Sequence, residues 1–165
     1  MDFAYYNDFL PSLSYEGSRS QHQGASLRNG RSRAVESHTL RFIKASLVYL
    51  AIGCTLGVLF ILQPVYAIQW RMLHTHFNLL GWVSMMIFGV AYHILPRFRG
   101  RPLYSKNLAI LHFWLANVGL VGMAICWSVV SSGGAVIYRS LAALFSLLVV
   151  AAILVFVWNL WATVR

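Results

Sequence analysis

Two histidines, His74 and His76, stand at the head of an uncharged apolar run in the segment Arg71-Met72-Leu73-His74-Thr75-His76-Phe77-Asn78-Leu79-Leu80-Gly81-Trp82. A histidine at the edge of a bilayer is costly to keep, which makes it a functional candidate by default. The chemistry that suits it is ligation of a metal ion or a haem iron. The run continues through Tyr92 and His93 to Pro96 with no Asp, Glu, Lys or Arg. His112 lies further along, and with His93 it completes the set of candidate ligands.

These side chains need helices to hold them. At a 3.6-residue period, His74 shares a stripe with Asn78, Gly81, Met85, Gly89 and Tyr92. The residues of that stripe are small, so another helix or a flat macrocycle can approach it closely. His76 heads a different stripe of Leu80, Val83, Ile87 and Ala91, which reads as lipid or packing surface. Histidines two apart on a regular helix point in nearly opposite directions, so they do not form a bidentate site unless the helix starts between them. His112 repeats the small-residue pattern with Ala116, Gly119 and Met123. His93 and His112 fall near the same end of neighbouring spans, close enough in depth to share an iron or a metal. His74 and His112 fall near opposite faces, on the order of 20 Å apart.

The chain has 165 residues, is 59% hydrophobic and carries four acids. Such a composition excludes an ordinary soluble domain. It predicts an all-α, integral membrane four-helix bundle with a polar N-terminal segment: polar residues 1–40, then a transmembrane domain over 41–165. At about 20 apolar residues per crossing, the spans fall at 45–66, 77–95, 108–130 and 135–164. Pro64 with Gln69-Trp70-Arg71, the Pro96 to Pro102 loop, and Ser131-Ser132-Gly133-Gly134 break them. Gly53 and Gly57, four apart in the first span, offer a helix-association face. Cys54 and Cys126 read as buried apolar fillers, and His22 and His38 as surface residues without a role. The aromatic head (Phe3, Tyr5, Tyr6, Phe9, Tyr15) suggests a segment pinned against a partner chain.

A net charge of +9 raises nucleic acid as a partner, but the cations follow a membrane pattern instead. Arg19, Arg28, Arg31, Arg33, Arg41 and Lys44 precede the first span, and Arg97, Arg99, Arg101 and Lys106 lie between the second and third. Only Arg71 and Arg139 fall on the opposite side. Loops rich in Lys and Arg stay in the cytoplasm, which predicts a multi-pass protein of the bacterial inner membrane with both termini cytoplasmic. Its first span would serve as the insertion signal, with no cleavable leader. The lipid bilayer is then a partner, and nucleic acid is not.

The run from His74 to Trp82, with Gly89, Tyr92 and Pro96, resembles the second transmembrane helix of haem-copper oxidase subunit I proteins, the nitric-oxide-reductase-like and cbb3-like members above all. The segment is also similar to the NnrS family of haem- and copper-containing membrane proteins, through His74-Thr75-His76, Gly81, Pro96 and Gly100-Arg101-Pro102-Leu103. The oxidase resemblance covers roughly Arg71 to Met123. It implies that Arg71-Met72-Leu73-His74 supplies an axial histidine to a low-spin haem near the outer face. Such oxidases carry their second low-spin ligand and their copper histidines on later helices, which this sequence does not contain. The remaining ligand would come from His76, another copy or a different subunit.

The expectation is therefore a haem b protein serving electron transfer, either as a homo-oligomer or as a subunit of a larger redox complex. A cofactor-free accessory or anchor subunit is the alternative. Copper held by His74, His76 and Met72, with Met85 deeper, is a further possibility, because imidazoles and thioethers suit that metal. No Asp or Glu follows Glu36, so carboxylate relays and paired-carboxylate catalysis are excluded. Asn78, Asn117 and Asn159 read as hydrogen-bond partners between helices.

Overall fold

The structure is a computed structural model and describes residues 36–165. The aromatic head and His22 lie outside the described residues. The described chain is helical nearly throughout: α1 Ser37–Leu62, α2 Pro64–His76, a π-helical stretch Phe77–Ser84, α3 Met85–Phe98, α4 Lys106–Ser131 and α5 Ile137–Val164. Four of the resulting rods are long and apolar enough to cross a membrane. The all-α, four-span expectation holds.

The second rod differs from the span expected at 77–95. It runs unbroken from Pro64 to Phe98, 35 residues, or about 50 Å, longer than a hydrocarbon core of about 30 Å. Gln69-Trp70-Arg71, expected as a break, is one of its turns. The actual break is Gln63 alone. A residue before proline is pushed out of the α region, and Gln63 sits at φ −138° and ψ 85° while Pro64 opens the next helix. The first helix also starts earlier than expected, at Ser37.

This one-residue hinge folds α1 back along the second rod in a continuous antiparallel register. Phe60 meets His74, and Gly53 meets Asn78. Tyr49 covers Gly81, Phe42 covers Gly89, and His38 reaches Tyr92. The stripe of Gly81, Met85, Gly89 and Tyr92 is buried, as the helical period predicts. A helix fills it: a Cβ on Gly81 would stand 2.5 Å from the Tyr49 ring. The Gly53/Gly57 face is likewise used inside the chain, against Asn78 and His74.

The second hairpin pairs α4 with α5. Gly119 packs on Val149 and Gly122 on Phe145, and the turn between the helices uses Gly133 at φ 84°. Ser105 caps α4 by accepting from Leu108 N–H. The hairpins meet around Phe42, Met85, Tyr92, Ala109, Ala116 and Ala152. The His112 stripe of Ala116, Gly119 and Met123 is buried as expected. Two readings need correction. His38 is 5% exposed, because Glu36 pairs with its ring and Tyr92 covers it edge-on. Cys54 is exposed on the outer face of α1, so only Cys126 is a buried filler.

Candidate functional site

Four imidazoles were singled out by sequence, and the fold gives each a different setting. His74 is half-buried against α1. Its Nδ1 lies 3.0 Å from the carbonyl oxygen of Gly53. A carbonyl only accepts, so Nδ1 carries the ring proton and Nε2 keeps its lone pair. Anchoring one imidazole nitrogen on a backbone carbonyl is how proteins orient a histidine for ligation through the other. The local sequence makes this approach possible. Gly57 leaves room for the ring, since a Cβ there would stand 3.3 Å from His74 Cε1. Phe60 borders it at 5.5 Å between ring centres. Asn78, one turn on, donates to the His74 carbonyl oxygen at 2.8 Å, and its amide nitrogen is 3.4 Å from both ring nitrogens.

The π-helical stretch begins directly after His76 and carries Asn78 and Gly81. Its wider turn shows in Ser84, whose hydroxyl donates to the carbonyl of Leu79, five residues back, at 2.8 Å. Such segments are rare and frequently accompany functional sites. Nothing in residues 77–84 as a sequence announces it.

His76 turns away. Its Nδ1 sits 2.9 Å from the Met72 carbonyl oxygen of its own helix, on a different side from the Gly53 contact of His74. The two rings therefore do not converge, as expected for residues two apart. His93 engages Arg97 one turn on. His112 lies in the core at 0% exposed, with Nδ1 3.0 Å from the Tyr92 hydroxyl and Phe42, Phe88 and Phe156 around it. His93 and His112, neighbours in depth, take different hydrogen-bond partners, Arg97 for the one and the Tyr92 hydroxyl for the other. Tyr92 is 18 positions along the rod from His74, so His74 and His112 sit on the order of 25 Å apart, toward opposite ends. Among the described residues, no three His, Cys, Asp or Glu side chains gather in a way that could hold a metal ion. An iron or copper at His74 or His76 would draw its remaining ligands from elsewhere.

The family profile described as Cytochrome C and Quinol oxidase polypeptide I matches residues 22–164. The chain belongs to this family. Among curated relatives, it is 31% identical to the cbb3-type cytochrome c oxidase subunit CcoN1 of Stutzerimonas stutzeri, over 76% of this chain and 32% of the relative. It is 34% identical to cytochrome c oxidase subunit 1 of Rhodobacter capsulatus, over 58% of this chain and 23% of the relative. A cytochrome c oxidase subunit 1 homolog of Agrobacterium tumefaciens is 36% identical over 52% of this chain and 19% of its own length. The chain thus spans about a third or less of the length of these relatives. With four membrane-length helices, this member of the oxidase subunit I family is a membrane protein.

Sequence reasoning missed the polar clamp at the other end of the bundle. Ser105 N–H donates to Asn159 Oδ1 at 3.0 Å, and Asn159 Nδ2 donates to Ser105 O at 2.9 Å. Tyr104 N–H donates to Thr163 Oγ1 at 3.0 Å. These bonds tie the loop after α3 to the end of α5. A wholly buried asparagine in a membrane helix was the available signal, but its partner is a loop backbone rather than another helix. Asn117 does act between helices, its Oδ1 accepting from the Tyr49 hydroxyl at 2.9 Å.

Proposed function

We propose that the chain is a haem b-binding redox protein of the bacterial inner membrane, with His74 as an axial ligand through Nε2. The bond from His74 Nδ1 to Gly53 O, at 3.0 Å, carries this reading. It fixes the tautomer and ring orientation that ligation requires, at a half-buried position on the bundle edge, and membership of the oxidase subunit I family supports it. Bound haem supplies one-electron transfer. The protein's contribution is to hold the imidazole between Phe60, the glycine face of α1 and the Asn78 amide. The second axial ligand comes from another copy or another subunit, since His76, His93 and His112 each turn to other partners. The chain works in electron transfer within such an assembly.

The cations set the orientation. Arg41, Lys44, Arg97, Arg99, Arg101, Lys106 and Arg165 mark one end of the bundle, and Arg71 and Arg139 the other. By the positive-inside rule both termini are cytoplasmic and His74 lies toward the outer face.

The test is a reduced-minus-oxidised spectrum with a pyridine haemochrome assay on the purified protein. A b-type spectrum that disappears in His74→Ala is the expected result; an unchanged Soret band in that variant removes the assignment. A second reading, a cofactor-free accessory subunit, draws on the filling of the Gly81/Gly89 stripe by α1, which leaves no flat slot there. A colourless preparation from haem-supplemented growth, purified with a stoichiometric partner, would select it.

A further inference from the structure

Charge is uneven between the two ends of the bundle, and the haem reading makes no use of it. Among the described residues Glu36 is the one acidic side chain, and it pairs with His38 and Lys106. Arg41, Lys44, Arg99, Arg101, Lys106 and Arg165 outnumber it at that end. A cation that only sets topology needs its charge and no fixed position. Arg99 and Arg101 are held. The second rod closes on Gly100 at φ 61°, with Gly100 N–H donating to Arg97 O and Arg101 N–H to Pro96 O, each at 3.1 Å. This nested pair of bonds is how a left-handed glycine ends a helix, and it sets the two arginines on either side of the turn. The Tyr104–Thr163 and Ser105–Asn159 bonds then fasten their loop to the end of α5. Arg99 crosses to α5 as well, its Nη2 donating to the backbone oxygen of Arg165 at 2.9 Å.

An exposed apolar stripe leads up to this rim. Leu154, Trp158, Trp161 and Arg165 follow one another at helical spacing on α5, and all four are exposed. The Arg165 guanidinium stands over the Trp161 ring, 5.9 Å from its centre. Tryptophan at the end of a membrane helix sits at headgroup depth, which leaves Trp158 and Leu154 deeper, at the level of acyl chains. A guanidinium presents its donors as a planar fork that matches phosphate oxygens. A soluble acidic partner would meet the cationic rim but have no use for the stripe beneath it. A phospholipid of net negative charge uses both.

We infer that Arg99, Arg101 and Arg165, with the Trp158/Trp161 face of α5, form a binding site for one anionic phospholipid of the leaflet at this end of the bundle. Its phosphate oxygens accept from the guanidiniums, and an acyl chain lies along the stripe. The site is independent of the haem reading, because His74 stands toward the other end.

The experiment is native mass spectrometry of the full chain in mild detergent, with dioleoylphosphatidylglycerol or dioleoylphosphatidylcholine added as mixed micelles. The wild type should retain one phosphatidylglycerol at concentrations where phosphatidylcholine is not retained. Each cation at an anionic lipid surface contributes roughly a factor of five, so Arg99→Gln combined with Arg101→Gln should weaken retention about 25-fold. Arg139→Gln removes a charge at the other end and should leave retention unchanged, because screening confines such effects to about 10 Å. Equal retention of the two lipids by the wild type overturns the inference, and so does unchanged retention in the double variant. A loss in Arg139→Gln as large as that in Arg101→Gln overturns it too, since net charge alone would then attract the lipid. Should the double variant fail to fold, Arg101→Gln alone should weaken retention about fivefold, and no change there overturns the site.

Discussion

His74 and His112 are the same residue type inside one membrane bundle, yet their surroundings equip them differently. Aromatic rings enclose His112, with Phe88 at 4.7 Å, Phe42 at 4.8 Å and Phe156 at 5.3 Å. A tyrosine hydroxyl takes one of its nitrogens. His74 has one nitrogen anchored on a backbone carbonyl and the ring only half covered. An enclosed imidazole contributes by filling and pinning the core. The anchored one, only half covered, is the one the haem proposal uses. Residue type proposes a ligand, but burial and the partner of the second nitrogen separate a ligand from a packing group.

The contrast breaks most visibly in the spectrum. His74→Ala should remove the Soret band entirely, while Phe42→Ala, at the His112 end, should leave the haem content per folded chain unchanged. Loss of haem in Phe42→Ala with retention in His74→Ala would invert the assignment. Stability should show the reverse order. Phe42 is 0% exposed and touches both hairpins, so Phe42→Ala should cost about 3–5 kcal/mol, read from detergent or denaturant unfolding midpoints. A value near zero would mean the aromatic enclosure is not a packed core.

Between the two ends, Gly81→Val drives a side chain into the Tyr49 ring. It should cost about 1–3 kcal/mol through overpacking and move α1 away from the second rod. Wild-type stability in this variant would show that the close α1 contact is dispensable. The smallest effect is expected at His76→Ala. Its ring bonds only its own helix, so stability should stay within about 0.5 kcal/mol and the haem spectrum should persist. Loss of haem there would make His76 a ligand and divide the role now given to His74.

Much of this was legible in the chain. Length and apolarity foretold the helices, and the buried stripes through Gly81, Met85, Gly89 and Tyr92 and through His112, Ala116, Gly119 and Met123 follow from the 3.6-residue period. The turns were less legible. Gln69-Trp70-Arg71 looks like a loop by polarity, but polar residues continue a helix readily where it leaves the hydrocarbon. The hinge sits instead at Gln63, where proline excludes α geometry. His38 looked like surface because its local sequence is polar. It is buried because Tyr92, 54 positions later in the chain, lies across it.

Composition and periodicity determined that the chain crosses a membrane as helices, and the His74 to Pro96 motif pointed to the oxidase subunit I family. Those properties are local: each residue's apolarity, and its angle around a helix, do not depend on what lies elsewhere. The pairing of nitrogens does. Gly53 is 21 positions from His74, and Tyr92 is 20 from His112. The one-residue hinge and the antiparallel register bring each pair together. Which imidazole is anchored on a backbone carbonyl and which is sealed in the core was therefore settled by packing between helices, because hydrogen bonds and enclosure are relations between distant residues.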